Sequence, residues 1–195
     1  MIEKIINKNI IFLQKYGVNM ETEDDKDVYK YGLRILYYYI IDIGIILSIS
    51  ALFNKLYESA IILFIFALFQ IFGGGYHAKT KLKCTSLMII GVITGNILIN
   101  IILNYKIFMI ISVIILSIVI FIIGPVTNKK HPVSKKTYKR SKLIARIVVL
   151  ANIFTMVLLL KINRDIEAAA IVSTIYLYTI SLITAKIKIF NAHLR

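Results

Sequence analysis

Residues 107–126 have the sequence IFMIISVIILSIVIFIIGPV, a run without a single charged side chain. A membrane-spanning helix needs about 20 consecutive apolar residues, because the hydrocarbon core of a bilayer is about 30 Å thick. Five further apolar stretches lie on either side of this run, at about 35–53, 59–72, 85–103, 143–160 and 166–185. The sequence therefore predicts an all-α fold, a polytopic integral membrane bundle of about six transmembrane helices.

The composition supports a membrane protein and limits its partners. Hydrophobic residues make up 58% of the chain and charged residues 17%, which is too few to cover the surface of a soluble protein. The 24 Lys and Arg against 10 Asp and Glu give a net charge of +14. No soluble domain is left to carry a nucleic-acid-binding module, so we expect membrane lipid or an acidic peptide as partner and no nucleic acid.

The placement of the basic residues predicts the topology. Cytoplasmic connections of membrane proteins carry an excess of Lys and Arg. If the N-terminus lies in the cytoplasm, all basic residues fall in cytoplasmic segments except Lys55, Lys106, Lys161 and Arg164. We therefore expect a multi-pass protein of the cell membrane, with both termini and the segment 77–83 at the cytoplasmic face.

The N-terminal region has a different pattern from the spans. Its apolar residues recur at helical spacing, which predicts an interfacial amphipathic helix with isoleucines toward the acyl chains and lysines toward anionic lipid. The polar stretch 21–27 is predicted as a loop. We thus expect one membrane domain over 1–195: interfacial helix and polar loop at 1–34, six spans within 35–185, a basic cytoplasmic loop at 127–142 and a cytoplasmic tail at 186–195.

Residues 73–84, GGGYHAKTKLKC, join the second and third spans and carry the candidate chemistry. The glycine run predicts that the second helix frays or breaks at the membrane surface. Cys84 is the only cysteine, and a thiolate is stabilised by nearby lysines, by a histidine or by a helix N-terminus. The third span begins at about Cys84, and His77 is the candidate base that takes the thiol proton.

The spacing between His77 and Cys84 imposes a condition. In an unbroken helix the two residues would lie roughly 10 Å apart along the axis, so the chain between them must turn back, or His77 must sit on the glycine-rich end of span two. Structural explanations stay open: a cysteine that packs as a small apolar residue, glycines for close helix packing, and lysines that only mark an inner loop. The one cysteine and the scattered histidines His77, His131 and His193 lack the spacing of zinc ligands, so we expect neither a metal nor a cofactor.

Several of these residues together resemble a known family. The run GGYHA at 74–78, followed by Cys84, is similar to the signature of the accessory gene regulator B (AgrB) family, membrane endopeptidases that process quorum-sensing propeptides in Gram-positive bacteria. Chain length, hydrophobic layout and the later stretch GPVTNKKHP at 124–132 resemble the family too. The resemblance covers essentially the whole chain.

The resemblance implies roles for individual residues. Cys84 would be the nucleophile and His77 its partner, within the signature that includes Gly74 and Gly75, and the basic residues Lys129 and Lys130 would support activity. Family members commonly carry arginine at the position of Gln70. Glutamine donates a hydrogen bond but cannot pair with a carboxylate as a cation, so this chain departs from the family at a substrate-binding or supporting position.

The resemblance also implies the reaction. A cysteine endopeptidase of this family would cleave the acidic C-terminal tail from a short AgrD-like propeptide and hold the rest as a thioester on Cys84. A thiol or hydroxyl of the peptide would then displace the enzyme and give a cyclic thiolactone or lactone autoinducing peptide. Backbone amides at the start of span three are the expected oxyanion donors. A homodimer is a further expectation from the resemblance.

Alternatives to this function remain. The basic loop from Lys129 to Lys142 would attract an acidic tail, but the same lysines are an ordinary topology signal. Asp42 lies inside span one, where it should be neutral or paired; it would orient His77, pair with Arg146 or bond a neighbouring helix. A small membrane transporter or peptide exporter, or a structural scaffold, would leave Cys84 incidental.

Overall fold

The computed structural model describes residues 2–18, 20, 22–76, 78, 80–126 and 135–191. These residues form seven helices and no strand: α1 (Ile2–Lys15), α2 (Glu23–Leu52), α3 (Leu56–Gly73), α4 (Lys81–Leu103), α5 (Lys106–Ile123), α6 (Lys135–Lys161) and α7 (Asp165–Asn191). The six helices α2 to α7 are long and apolar enough to cross a membrane. The predicted all-α polytopic fold is therefore confirmed.

The prediction of a loop at 21–27 is wrong, because α2 already begins at Glu23. Thr22 caps this helix: its Oγ1 accepts the backbone N–H of Asp25 at 3.1 Å, and the Asp25 carboxylate accepts the N–H of Thr22 at 3.1 Å. This reciprocal pair satisfies amide groups that a helix N-terminus otherwise leaves unbonded. Acidic residues in the first turn also favour the positive end of the helix dipole. The charged stretch is therefore a helix start.

The basic segments beside the last two spans are also more helical than predicted. Of the loop expected at 127–142, the part from Lys135 onward belongs to α6, and α7 continues past residue 186 to Asn191. Lysine and arginine have high helix propensity, so a helix continues through them after the apolar run has ended. Hydropathy therefore marked the ends of the apolar runs and not the ends of the helices.

The chain divides into two compact units, residues 1–48 and 49–195. In the first unit, α1 buries Ile6 and Ile10 against Leu33 and Tyr37 of α2. These two isoleucines were predicted to face acyl chains, and that expectation is wrong, because α2 covers them. The exposed apolar residues of this helix are Ile5, Ile11 and Phe12.

A polar contact adds to the packing of α1 on α2. Arg34 Nε donates to Glu3 Oε1 at 2.8 Å. The guanidinium holds the pKa of the Glu3 carboxyl below its usual range. The contact is exposed, so it contributes little to stability beside the buried isoleucines. The interfacial location of α1 and the single membrane domain stay predictions.

In the second unit, α7 is the central helix. It packs against α3, α4, α5 and α6. In an apolar stretch of 18 residues within α7, 67% is buried, compared with 28% in the corresponding stretch of α5. The buried residues of α7 are largely small or hydroxylic, including Ala168, Ala169, Ala170, Ser173 and Thr174. Small residues let helix backbones approach closely in a membrane, where helix association depends on packing and hydrogen bonds. Large apolar side chains such as Ile107 and Ile122 are exposed instead and suit contact with lipid.

The contact between α4 and α7 shows this packing in detail. Ser173 Oγ donates to the Gly95 carbonyl of α4 at 2.8 Å. A Cβ at Gly95 would lie 2.9 Å from Ile62 and 3.1 Å from Leu177, so no larger residue fits here without movement of its neighbours. Gly95 therefore serves close packing of α3, α4 and α7.

Gly95→Val is expected to destabilise the bundle by about 1–3 kcal/mol, the usual cost of overpacking a core. The measurement is thermal unfolding in detergent. Gly44→Val is the matched control, since a Cβ at Gly44 in α2 has no atom within 4 Å. Equal losses of Tm in the two variants would contradict the packing role of Gly95.

Candidate active site

The glycine run ends α3 as predicted. The helix stops at Gly73, and the N–H of Gly74 donates to the carbonyl of Gln70 at 3.1 Å. Gly74 has φ +69° and Gly75 has φ +155°, a backbone region that side chains with a Cβ rarely adopt. The chain thus leaves the helix through two residues whose conformations favour glycine.

The segment after α3 is joined to the segment after α5. Val126 N donates to the Gly73 carbonyl at 3.0 Å, and Gly74 and Val126 form an isolated parallel β-bridge. A Cβ on Gly74 would overlap the carbonyl oxygen of Val126. Two stretches that each resemble the family, 74–78 and 124–132, therefore meet at this bridge, immediately before the basic segment begins.

Cys84 lies in the first turn of α4. Thr80 is the N-cap: its Oγ1 accepts the N–H of Lys83 at 3.4 Å, and its carbonyl accepts the N–H of Cys84 at 3.1 Å. The helix begins at Lys81, so Cys84 is at the end of its first turn and near the positive end of the helix dipole. Its side chain is half-buried.

A largely apolar cavity of about 470 Å³ opens beside Cys84, between α3, α4 and α7. Pockets of this size with a few polar groups in an apolar lining are typical of ligand sites. The lining residues are Ile62, Leu63, Phe66, Gln70, Tyr76, Ala78, Cys84, Leu87, Met88, Ile90, Gly91, Val92, Thr94, Leu177, Ile180, Ser181 and Thr184. The structure thus brings Cys84 and Gln70 to one cavity.

The remaining predicted site residues fall into two groups. Gly75 lies beside the cavity, since a Cβ on it would be 2.9 Å from Ser181 Oγ and 3.8 Å from Gln70 Nε2. His77, Lys129 and Lys130 lie outside the described residues, as do His131 and His193. The two chain neighbours of His77, Tyr76 and Ala78, both line the cavity.

Sequence reasoning missed the contribution of α7. Ser181 Oγ accepts the backbone N–H of Tyr76 at 3.0 Å, and Leu177, Ile180 and Thr184 line the same cavity. The sequence did contain one indication of this contribution: a hydroxyl within an apolar span generally faces protein and not lipid. That signal does not identify the partner, because many serines and threonines in spans bond their own helix, as Thr184 bonds Ile180 at 2.8 Å.

Two of the expected oxyanion donors are already engaged in hydrogen bonds. Backbone amides at the start of span three were expected to serve, but those of Lys83 and Cys84 already donate to Thr80. The cap that begins α4 uses them. The backbone amides of Lys81 and Leu82 belong to the same helix start, so the expectation of an oxyanion donor there stays a prediction.

Asp42 is buried, with 3% of its surface exposed, and it interacts with another group. This agrees with the expectation that an intramembrane carboxylate is neutral or paired. Within the described residues, no three His, Cys, Asp or Glu side chains come together as a metal site would require.

The family model of accessory gene regulator B (AgrB) matches residues 2–187 of the 195. No curated protein and no solved structure matches significantly. The six apolar helices agree with a multi-pass membrane protein, and the family implies an AgrD-like propeptide as partner. The match confirms the resemblance noted in the sequence: the chain belongs to the accessory gene regulator B family, which acts in the processing of quorum-sensing propeptides.

Proposed function

We propose that this protein is a cysteine endopeptidase in which Cys84 is the nucleophile and His77 the general base. One observation carries the proposal: Cys84 lies in the first turn of α4 and shares a cavity with Tyr76 and Ala78, the residues on either side of His77. The arrangement supplies a thiol near a helix N-terminus and a histidine-bearing segment that borders the same space.

The proposed reaction has two steps. His77 takes the proton of Cys84, whose sulfur attacks the scissile carbonyl; the C–N bond breaks, and the same proton passes to the leaving amine of the acidic tail. A thiol or hydroxyl of the bound peptide then attacks the thioester, its proton returns through His77, and Cys84 is released. The free energy change of thioester exchange is close to zero. Because an apolar cavity excludes water, it favours cyclisation over hydrolysis of the thioester.

Gln70 is our candidate for a donor to the developing oxyanion. It lies in the last turn of α3 and lines the cavity. A Cβ on Gly75 would lie 3.8 Å from Gln70 Nε2. A side-chain amide can donate to an oxyanion, as backbone amides do, without carrying charge. This role does not require the arginine that family members commonly have at this position.

The acidic tail of the propeptide would be held by the basic segment that contains Lys129 and Lys130. The bridge between Gly74 and Val126 starts this segment next to the glycine run, and Lys135, Lys136 and later basic residues continue it into α6. Clustered cations attract carboxylates over about 10 Å at physiological salt. On the positive-inside rule, this site lies at the cytoplasmic face.

The cavity would bind apolar side chains of the propeptide next to the scissile bond. Gly91 lines it, and a Cβ there meets no atom within 4 Å. Gly91→Leu is therefore expected to fill the cavity without disturbing the fold and to lower kcat/KM about tenfold or more, a usual effect of removing pocket space. Steady-state cleavage kinetics measure this. Gly32→Leu is the control, since Gly32 also has open space but lies in α2. An unchanged kcat/KM for Gly91→Leu would exclude this cavity as the substrate site.

The proposed function is tested by trapping its intermediate. The native chain is reconstituted in liposomes and mixed with a synthetic propeptide of the family. We expect release of the tail and a mass adduct on Cys84 that hydroxylamine removes, because thioesters react with hydroxylamine. Tail release without any adduct would argue for another mechanism.

A further inference from the structure

The backbone just before His77 is attached to α7 at two places. Ser181 Oγ accepts the N–H of Tyr76 at 3.0 Å, and Lys188 Nζ lies 4.6 Å from the centroid of the Tyr76 ring. Ser181 and Lys188 are seven residues apart, so they share one face of α7, roughly 10 Å apart along its axis. The central helix thus contacts both the backbone and the side chain of one residue.

The contact with Ser181 also includes Gly75. A Cβ on Gly75 would come within 2.9 Å of Ser181 Oγ, so the backbone at Gly75 lies close to this hydroxyl. The peptide between Gly75 and Tyr76 follows the end of α3 and is not part of a helix. Its N–H therefore depends on a side chain for a partner, and an unpaired N–H in apolar surroundings is costly.

We propose that Ser181 is a positioning residue of the active site. Its hydroxyl holds the Gly75–Tyr76 peptide, from which the chain continues to His77, the proposed base, and Ser181 lines the same cavity as Cys84. Lys188 supplies a second attachment through the Tyr76 ring, by the attraction of a cation to an aromatic face. The inference rests on the proposed function, because it assigns Ser181 a role through His77.

A purely structural role of Ser181 can be distinguished from a positioning role by comparison with Ser173. Ser173 lies on the same helix, and its hydroxyl also bonds the backbone of another element, but as a donor to the Gly95 carbonyl and outside the cavity. Ser173→Ala therefore removes a hydroxyl-to-backbone hydrogen bond of α7 without touching the chain before His77. The pair Ser181→Ala and Ser173→Ala separates positioning from packing.

The experiment uses the full chain in liposomes, with a synthetic propeptide of the family. We measure kcat and KM, and also the pH dependence of Cys84 alkylation by iodoacetamide, which reports the pairing of the thiol with its base. For Ser181→Ala we expect kcat to fall about 10- to 100-fold with little change in KM, because small displacements of catalytic groups have effects of this size. The alkylation profile should move toward that of His77→Ala. Ser181→Thr, which keeps the hydroxyl, should recover most of kcat, and Ser173→Ala should keep the native profile.

Lys188→Met provides a second variant at an exposed position, and Lys188→Arg its charge-conserving control. We expect kcat to fall severalfold for Lys188→Met and to stay near native for Lys188→Arg. The positioning role is overturned if Ser181→Ala keeps kcat within about twofold of native. If Ser181→Ala does not fold, the same criterion applies to Lys188→Met. The positioning role is equally overturned if Ser181→Ala loses activity while the alkylation profile of the folded protein stays native. Undiminished cleavage by Cys84→Ala and His77→Ala would instead refute the proposed function.

Discussion

Replacement of Cys84 by alanine is expected to abolish release of the propeptide tail, with kcat lowered by at least about 10⁴-fold, as for removal of a nucleophile in other covalent proteases. Cys84 is the only cysteine of the chain, so no other thiol can replace it. Its side chain is half-buried and makes no structural disulfide, so alanine should fit without disturbing α4. Cleavage in liposomes, followed by mass spectrometry, measures the loss.

His77→Ala is the companion variant. Loss of a general base lowers the rate by about 10²- to 10⁴-fold, so residual cleavage should exceed that of Cys84→Ala. Both variants must first migrate as folded protein in detergent. Cleavage by Cys84→Ala at the native rate would show that the thiol is not the nucleophile. A transporter, exporter or scaffold would cleave no propeptide even as the native chain and would tolerate both replacements, so comparison of the native chain with the two variants separates these alternatives from the enzyme.

The second large effect is expected for Gly74→Ala. A Cβ at this position would overlap the carbonyl oxygen of Val126, and alanine disfavours the φ of +69°. The strained backbone costs about 1–3 kcal/mol, and loss of the bond between Val126 and Gly73 adds about 1 kcal/mol, so we expect roughly 2–4 kcal/mol of destabilisation. Tail release should also be lost, because the bridge positions both the glycine run and the start of the basic segment.

Thermal unfolding and cleavage of the same preparation test this prediction. Gly44→Ala is the matched control: Gly44 is helical and a Cβ there meets no atom within 4 Å, so stability should change by no more than about 1 kcal/mol. A Gly74→Ala protein that is as stable and active as the control would mean that the bridge to Val126 contributes nothing to the site.

The bridge gives a physical reason for two separate sequence signals. The glycine run follows α3, and the stretch at 124–132 follows α5, so nothing in their spacing along the chain predicts contact. In the structure the N–H of Val126 and the carbonyl of Gly73 pair, and the close approach requires a residue without a side chain at Gly74. The proposed nucleophile and the proposed tail-binding segment are thereby connected through backbone contacts.

Features that depend on local sequence were predictable. The six spans follow from apolar runs of bilayer length, since a backbone in hydrocarbon must satisfy its own hydrogen bonds as a helix. The break after α3 follows from the glycine run. The start of α2 was also readable, because Thr22 and Asp25 have the spacing of a capping box; polarity alone led to the wrong prediction of a loop.

Which residues each helix buries was decided only by the tertiary structure. The stretch at 166–185 has the composition of a span like the others, yet α7 is the central helix because its small residues let four neighbours approach. Ile6 and Ile10 match a lipid-facing pattern, but α2 covers them. The hydroxyl of Ser181 bonds Tyr76, far away in the chain. Lipid and protein interiors are both apolar, so hydrophobicity places a residue within the membrane without showing which neighbour covers it.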